Sequence, residues 1–415
     1  MASDLRVVVS VLGRFHAFYL ADELHRREAL ERLYTSYPAS HAVRYGVPRG
    51  RVSGRPSFEL ANRLTQRYRP GGYDARHLAC AAFERWVARR LRAGPDVFVG
   101  WSGSSLAALR RAKALGMLTV VERGSTHILH QNDLLRDEYE RLGIDGRLSH
   151  PRTVDKELEE YAEADRIAVP TAYVRSTFQA RGIPAHKLIQ VPYGVSLESF
   201  RPESGSGDGF RILHVGSVSV RKGCHHLLQA FAELNLPGAE LHLVGAVAPE
   251  MEPFLARYAG SGVVVHGAVP QGELPGHYRR ASLFCLASLE EGMAMVIPQA
   301  MACGLPVVAT TESGAGELIE PGVQGLLLPA REVGALKDAL AALHDDAGRR
   351  EAMGVSAAAR IAGGYSWADY GRRILGAYRD ARLALRAGND DDAEPAPECI
   401  ERLDSVDSSG SADAA

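Results

Sequence analysis

Short apolar runs alternate with longer amphipathic stretches through most of the chain. Most of these runs are apolar along nearly their whole length, with little alternation between apolar and polar positions. Such runs are typical of strands buried on both faces, as in parallel sheets covered by helices. The predicted strands are Arg6–Val11, Asp96–Gly100, Leu118–Glu122, Arg166–Val169, Leu188–Val191, Phe210–Val215, Glu240–Val244, Val263–His266, Leu283–Leu286, Pro306–Ala309 and Gly325–Leu328.

Helical patterns separate the strands, for example at Cys224–Leu234, Val296–Cys303 and Trp367–Arg386. Alternating strands and helices predict an α/β protein with two Rossmann-like, doubly wound domains that face each other across a cleft. A segment rich in Pro, Ser and Gly divides the halves. We predict a first domain at 1–200, a linker at 201–209 and a second domain at 210–365. A helix at 366–387 is expected to pack back toward the first domain, followed by a disordered acidic tail at 388–415.

Charge is unevenly distributed, although the net charge of the 415 residues is only −2. Residues 41–92 hold twelve arginines and three acidic residues, whereas residues 388–415 hold nine acidic residues and one arginine. The near-zero net charge excludes a uniformly basic nucleic-acid binder. It does not exclude a basic surface confined to one part of the protein. Within the block, Ala75–Arg92 has helical spacing of apolar residues (Leu78, Phe83, Trp86, Val87 and Leu91) against arginines.

Other classes of protein are disfavoured. The chain has no apolar run of 18 residues, and its first residues lack the charged region and cleavage site of a signal peptide. The five cysteines are scattered without metal-ligand spacing, which predicts incidental thiols in a reducing compartment and no zinc site. We therefore expect a cytoplasmic protein.

Loops after three second-half strands carry the candidate chemistry. The first strand ends at Gly216, and Arg221-Lys222-Gly223 opens the next helix, which suits an anion such as a diphosphate. Another strand leads into Glu290-Glu291-Gly292, where the N–H groups of Met293 to Met295 precede a helix. A Gly-rich turn, Ser313–Glu317, follows a third strand. Because parallel strands end at one edge of a sheet, these loops are expected to converge.

Here the sequence resembles the retaining family-4 glycosyltransferases (glycosyl transferases group 1) of the GT-B fold. The similarity lies in the Glu-Gly loop, the A-M-A-C-G-L-P-V-V strand entry at 300–308, the Arg-Lys-Gly helix start, the P-Y-G-V segment at 192–195, E-R-G-S-T-H at 122–127 and H-P-R at 150–152. The resemblance implies sugar transfer from a nucleotide-diphosphate sugar with retention of configuration and without a metal. It makes the first domain the acceptor side and the second the donor side.

The resemblance also assigns roles to residues. It implies a catalytic set of Glu291, Lys222, Arg221 and His127, and a donor-binding set of Gly216, Ser217, Gly292, Met293, Ala294, Met295, Gln299 and Glu317. Gly13, Arg14 and His16 are expected on the acceptor side. His127 matches a family histidine that contacts the donor sugar, and His130 lies close enough in sequence to be confused with it.

Two positions depart from the family pattern. The second Glu of the pair is Gln299, which has one accepting oxygen and two donor hydrogens where a carboxylate accepts from two ribose hydroxyls. Ser217 stands where the family often has an arginine, and Arg221 is expected to substitute for it. Weaker nucleotide binding or an altered nucleoside is therefore expected.

The sequence thus predicts a metal-independent glycosyltransferase of glycan, polysaccharide or glycoconjugate biosynthesis, with no cofactor beyond its nucleotide-sugar co-substrate. Two alternatives remain: a nucleotide-sugar epimerase, and a non-catalytic sugar-nucleotide-binding protein. The acceptor is a glycan, a lipid-linked or a small molecule, and nucleic acid is not expected. The arginine-rich block 41–92 is interpreted either as a solvated surface or as an interfacial surface that meets anionic membrane at its inner face or a phosphate-bearing acceptor.

Overall fold

The computed structural model describes residues 5–67, 76–203 and 209–388. They form two parallel β-sheets, one in each half of the chain. The first sheet has the strand order β3-β2-β1-β4-β5-β6-β7, and the second has β10-β9-β8-β11-β12-β13. In both, the order reverses beside the first strand of the domain, which is where open α/β sheets bind ligands.

The first domain runs from β1 to β7. Its elements are β1 (Val7–Val11), α1 (Ala17–Arg26), β2 (Leu30–Thr35), α2 (Ala39–Val43), β3 (Val52–Gly54), α3 (Pro56–Arg67), α4 (Arg76–Ala88), β4 (Val97–Trp101), α5 (Leu106–Ala114), β5 (Leu118–Glu122), α6 (Ile128–Leu142), α7 (Pro151–Glu163), β6 (Arg166–Val169), α8 (Ala172–Gln179) and β7 (Leu188–Gln190).

The second domain follows after the linker. Its elements are β8 (Phe210–Val215), α9 (Cys224–Leu234), β9 (Ala239–Val244), α10 (Glu252–Arg257), β10 (Val263–Gly267), α11 (Leu274–Arg279), β11 (Leu283–Leu286), α12 (Val296–Ala302), β12 (Val307–Thr310), β13 (Gly325–Leu328), α13 (Val333–Asp345), α14 (Ala347–Ala362) and α15 (Trp367–Arg386).

Both faces of the first sheet are buried, as its apolar strands predict. Val7 and Val9 of β1 pack in one hydrophobic cluster, while Val8, between them, packs in another together with Phe83 of α4. Successive strand side chains point to opposite faces. Helices therefore cover the sheet on both sides and leave the strand ends to form the site.

The last helix, α15, returns to the first domain. Trp367 at its start stacks on Tyr19 of α1, with ring centroids 4.2 Å apart. Further along, the hydroxyl of Tyr378 donates to Glu122 at the end of β5, at 3.2 Å. A contact near the helix end joins Arg386 to Asp96. This helix therefore ties the end of the second domain to the sheet of the first.

The structure differs from the predicted elements before and within the arginine-rich block. It adds β2 before the block and β3 within it, and the helix predicted at 75–92 ends at Ala88. Leu78, predicted on the apolar face of that helix, is 56% exposed. Linker residues 204–208 and tail residues 389–415 lie outside the described ranges. No described helix combines the length and apolar character needed to cross a bilayer.

Candidate active site

A cavity of about 710 Å³ lies between the two domains. Its walls come from loops that follow β1, β4 and β5 in the first domain and β8 and β11 in the second. Pockets of this size hold small organic ligands. Two of the three loops that were predicted to converge, those after β8 and β11, thus face the first domain across one space, whereas the turn Ser313–Glu317 does not line it.

The cationic helix start lies beside an acid. The Nζ atom of Lys222 is 2.5 Å from Oε1 of Glu291, and Arg221 approaches the same carboxylate at 3.5 Å. Gly216 has a φ of +135°, and a Cβ atom there would lie 3.7 Å from Cε of Lys222. A glycine at this strand end therefore keeps the backbone bare next to the lysine ammonium.

Glu290, which received no role from the sequence, joins the domains. Its fully buried carboxylate accepts hydrogen bonds from the Ser125 hydroxyl (2.5 Å), from the N–H and hydroxyl of Thr126 (2.9 and 2.8 Å) and from Gln131 (2.9 Å), and pairs with Arg221 (2.8 Å). Burial alone would raise the pKa of Glu290, but Arg221 and these donors hold it well below its usual range. The neighbouring acids thus share Arg221 but differ in their other partners, which lie in the first domain for Glu290 and include Lys222 for Glu291.

The charge of Arg221 is secured by the same acids. Burial opposes its ionised form, but Glu291 and Glu290 raise the pKa of its guanidinium above the usual value. Arg221 also lines the cavity. It therefore carries a fixed positive charge at the junction of both domains.

The loop before α12 presents unpaired donors. The N–H groups of Met293, Ala294 and Met295 donate to no group among the described residues. Met293 and Met295 line the cavity, and the sulfur of Met293 accepts from the N–H of Tyr193 at 3.3 Å. Free N–H groups in a loop that lines a cavity can donate to a bound anion such as a diphosphate.

Gly292 has a different role from the one expected. A Cβ atom at this position would lie 2.0 Å from the carbonyl oxygen of Gly124 in the first domain. The carbonyl of Gly292 also accepts from the hydroxyl of Thr171 at 3.0 Å. A glycine is therefore required at position 292 because the two domains approach each other closely there. The sequence had predicted that this glycine allows close approach to a ligand.

Three expected donor-binding residues have protein partners. The side-chain oxygen of Gln299 accepts from the hydroxyl of Tyr278 at 3.1 Å, and Ser217 is exposed near Ser219. Glu317 accepts from the N–H of Ala172 and from Gln190, both in the first domain, at 3.2 and 3.1 Å. Glu317 thus makes a contact between domains through one carboxylate oxygen, and the nucleoside contact of Glu317 and the ribose contact of Gln299 stay predictions.

The expected acceptor-side residues are divided in the structure. His16 lines the cavity, and its Nε2 lies 3.3 Å from Glu122. The N–H of Gly13 donates to the Ser36 hydroxyl at 2.9 Å. Arg14 donates to the hydroxyl of Tyr45 at 2.5 Å. Of the three, only His16 lines the described cavity.

His127 does not line the described cavity, and the donor-sugar contact that the resemblance implies stays a prediction. It is the N-cap of α6, where its Nδ1 accepts from the N–H of Leu129 at 3.3 Å. The buried ring packs against Tyr161 and Phe178, and burial lowers its pKa to about 3. A neutral ring in this position stabilises the helix start. The nearby His130 is within 3.2 Å of the Tyr173 hydroxyl.

Arg123 lines the cavity, although the sequence pattern placed it only at a strand end and gave it no role. It follows β5 directly, and its guanidinium pairs with Glu157 at 2.8 Å. It also donates to the carbonyl of Thr126 and to Gln131, each at 3.0 Å. Its position immediately after a buried strand, inside the E-R-G-S-T-H motif, was the available signal.

One group of side chains in the described residues could hold a metal ion. Glu138 of α6 and the adjacent His225 and His226 of α9 bring three donor atoms together between the domains. Both imidazole Nε2 atoms lie near one carboxylate oxygen, at 2.7 and 3.0 Å, and Arg331 contacts the other oxygen at 2.6 Å. Hydrogen bonds and ion pairs therefore account for this cluster.

Comparison with known proteins identifies the second domain. Residues 209–346 match the family model "Glycosyl transferases group 1". These residues form a group 1 glycosyltransferase domain. The overall fold is the GT-B fold: sucrose-phosphate synthase from Thermosynechococcus elongatus superimposes with a TM-score of 0.67 at 18% identity, covering 92% of this chain and 100% of that one.

Two curated relatives of this glycosyltransferase domain have named activities. The chain is 30% identical over 248 residues to the GDP-mannose-dependent alpha-(1-6)-phosphatidylinositol monomannoside mannosyltransferase of Mycolicibacterium smegmatis, covering 54% of this chain and 65% of the relative. It is 34% identical over 229 residues to the D-inositol 3-phosphate glycosyltransferase of Kribbella flavida, covering 50% and 54%. Each alignment spans less than two thirds of the relative's length. Neither relative is named as an epimerase or as a binding protein.

Proposed function

We propose that this chain transfers a sugar from a nucleotide-diphosphate sugar to an acceptor hydroxyl, with retention of anomeric configuration and without a metal. The observation that supports this proposal is the Lys222–Glu291 pair beside the bare strand end at Gly216, together with the unpaired N–H groups of Met293 to Met295 in the loop that follows Glu291. The mannosyltransferase relative, by its name, uses a nucleotide-sugar donor of this class.

The proposed reaction takes place on one face of the sugar. The acceptor oxygen forms a bond to the anomeric carbon while the bond from that carbon to the diphosphate oxygen breaks, and the leaving phosphate oxygen takes the hydroxyl proton. Lys222, Arg221 and the loop N–H groups stabilise the charge that develops on the diphosphate. Glu291 orients the donor sugar by accepting from its hydroxyls, once the diphosphate has drawn Lys222 away from it.

The variant Glu291→Gln tests this assignment. It is expected to reduce transfer at least roughly a hundredfold, because a fixed contact to the reacting sugar is lost, while nucleoside-diphosphate binding is retained. A thermal-shift screen of nucleoside diphosphates selects the base, and release of that diphosphate from the sugar donor measures turnover. Glu351→Gln, an exposed acid of α14, is the matched control. Unchanged turnover in Glu291→Gln would refute the role of Glu291.

Retention and metal independence are tested on the same enzyme. We expect the proton NMR spectrum of the first product to show the anomeric configuration of the donor. We also expect turnover to persist after treatment with EDTA. Inverted product would contradict the one-face reaction, and complete loss of turnover restored by a divalent cation would contradict metal independence.

We further propose that the arginine-rich block 41–92 contacts anionic membrane. Leu60 and Leu64 of α3 and Leu78 of α4 are 61%, 46% and 56% exposed, and several arginines lie along the same part of the chain. Apolar side chains among surface cations favour the interface of anionic bilayers. Sedimentation with phosphatidylserine vesicles, but not with phosphatidylcholine vesicles, is the expected result. Loss of this binding in Leu60→Gln/Leu64→Gln would support the surface, and equal binding to both lipids would refute it.

A further inference from the structure

A group of arginines lies at the edge of the first sheet opposite the cavity. Arg6 precedes β1, and Arg89, Arg90 and Arg92 lie between α4 and the start of β4. All four residues are exposed. Loops that follow β1 and β4 line the cavity, whereas these arginines precede the same strands. Because the strands are parallel, the arginines lie at the other edge of the sheet, and we call this group the basic edge.

Contacts around Asp96 bring the last helix to the basic edge. The backbone N–H of Arg6 donates to the Asp96 carboxylate at 3.0 Å, and its guanidinium donates to the carbonyl of Gly94. Arg386, in the last turn of α15, pairs with the same carboxylate at 3.3 Å. The end of α15 therefore lies beside the segment that follows Arg92.

Positive charge at the basic edge exceeds the negative charge that balances it. Asp96 is the acid in contact with it, and it pairs with Arg386. Within the described ranges, Arg89, Arg90 and Arg92 form no ion pair. The guanidinium of Arg90 lies 4.8 Å from the centre of the Trp86 ring, and that of Arg92 donates to backbone carbonyls. Three positive charges therefore have neutral neighbours instead of a carboxylate.

The opposite charge follows α15 directly in the sequence. Residues 389–415, which we call the acidic segment, contain nine acidic residues and one arginine. Three aspartates at 390–392 come four to six residues after Arg386. An extended chain spans about 3.3 Å for each residue, so Asp392 lies at most about 20 Å from Arg386. A tether this short gives its carboxylates an effective concentration of about millimolar at the basic edge.

We propose that the acidic segment docks on the basic edge of its own chain, with the aspartates at 390–392 beside the arginines at 89–92. Guanidinium groups bind carboxylates through paired, charge-assisted hydrogen bonds. The docked segment neutralises part of the arginine-rich block 41–92 and therefore competes with anionic bilayers for it. Because the basic edge is opposite the cavity, docking leaves the cavity open to substrates.

A photo-crosslinker placed on the acidic segment locates the docking surface. Cys399 lies in this segment, and the cysteines of the described ranges are buried, so a benzophenone maleimide is attached to Cys399 of the full chain. After irradiation, mass spectrometry of the digested protein identifies the crosslinked residues. The variant Cys399→Ser, treated in the same way, measures labelling of the other cysteines.

We expect crosslinks within one chain, at the basic edge. Raising the salt concentration from about 0.1 M to about 1 M shortens the Debye length from about 10 Å to about 3 Å, and the yield should fall roughly tenfold. The variant Arg89→Gln/Arg90→Gln/Arg92→Gln should lower the yield by a similar factor at about 0.1 M salt, because the paired hydrogen bonds are lost.

The matched control removes three exposed arginines from the second domain: Arg257→Gln/Arg280→Gln/Arg349→Gln. It changes the net charge by the same amount and should keep the wild-type crosslinks. Equal yields in the two triple variants, or crosslinks spread over the whole surface, would refute docking at the basic edge. Crosslinks between two chains would refute docking within one chain and would show that the segment binds a second copy.

Vesicle binding tests the competition separately. A chain that ends at Gly388 should bind phosphatidylserine vesicles roughly tenfold more tightly than the full chain, because the arginines are free to meet the lipid. Its release of nucleoside diphosphate from the sugar donor should be unchanged. Equal affinity of both chains for the vesicles would refute the competition. If neither chain binds vesicles, the proposed membrane contact fails, while the crosslinks still show whether the segment docks.

Discussion

Two adjacent acidic residues in the loop after β11, Glu290 and Glu291, have different roles. Glu290 is fully buried and accepts from the first domain, whereas Glu291 lines the cavity beside Lys222. The sequence could predict an acid in this loop because a strand end and a glycine mark the place. It could not assign a role to Glu290, since its partners, Ser125, Thr126 and Gln131, come from the other half of the chain.

His127 shows how a single buried group couples folding to pH. Its pKa is about 3 in the folded protein, whereas an exposed histidine has a pKa of about 6.5. Between these values the unfolded chain binds a proton that the folded chain does not. Stability is therefore complete above pH 6.5 and is lost as the pH falls toward 3.

The variant His127→Asn is predicted to reduce this pH dependence. Asparagine can accept the N-cap hydrogen bond but does not titrate. Between pH 6.5 and 4.5 the wild type should lose about 2–3 kcal/mol through His127, at about 1.4 kcal/mol for each pKa unit, and the variant should lose less. Urea unfolding at several pH values measures the difference. The exposed His186→Asn is the control, and parallel curves for His127→Asn and wild type would refute the prediction.

At the scale of elements, two loops that each contain a glycine contact each other across the domains. Gly124 follows β5 in the first domain, and Gly292 follows β11 in the second. The calculated 2.0 Å between a Cβ at 292 and the Gly124 carbonyl leaves no space for any side chain. The backbones of these loops therefore contact each other directly, next to the cavity that Gly124 lines.

The variant Gly292→Ala is accordingly predicted to separate the loops. Overpacking of this kind costs about 1–3 kcal/mol, and we expect lower thermal stability together with a large loss of transfer. Gly334→Ala in α13 is the matched control, because a Cβ there meets no atom within 4 Å. Calorimetry and turnover of both variants provide the measurement. Equal behaviour of the two variants would contradict the close approach.

The elements themselves were largely predictable from the sequence. The helices Cys224–Leu234 and Trp367–Arg386 match the structure, and so do the predicted positions of eleven strands within a residue or two. Strand β2 was missed because Glu31 and Arg32 interrupt its apolar run, and β3 is a three-residue edge strand with little burial. Both depend on neighbours in space for their conformation, so local pattern does not reveal them.

At the scale of the whole molecule, the domains are held together at separate points. The Glu290 contacts lie at the cavity, α15 packs on the first domain, and Glu138 of α6 joins His225, His226 and Arg331 of the second domain. Burial opposes ionisation of Glu138, but its two histidine partners hold its pKa well below the usual range. Glu138 is therefore an anion whose loss affects three second-domain side chains together.

The variant Glu138→Gln is predicted to weaken domain closure without unfolding either domain. An amide cannot pair with Arg331 as a carboxylate does, but Asp137 still pairs with that guanidinium at 2.8 Å, so we expect a cost of about 1–3 kcal/mol, that of leaving polar groups without their charged partner. Small-angle scattering should show a larger radius of gyration in the variant. A saturating concentration of nucleoside diphosphate, added together with the donor sugar, should partly restore closure. Because closure assembles the cavity from both domains, KM for the donor should rise more than kcat falls.

The exposed Glu140→Gln, on the same helix α6, provides the control for helix stability and surface charge. It should match the wild type in scattering and in both kinetic constants. If Glu138→Gln also matches the wild type in scattering, the Glu290 contacts and α15 suffice to hold the domains closed. The Glu138 cluster would then contribute only to local stability. In that case the melting temperature of Glu138→Gln should be lower than that of Glu140→Gln although both variants have the same radius of gyration.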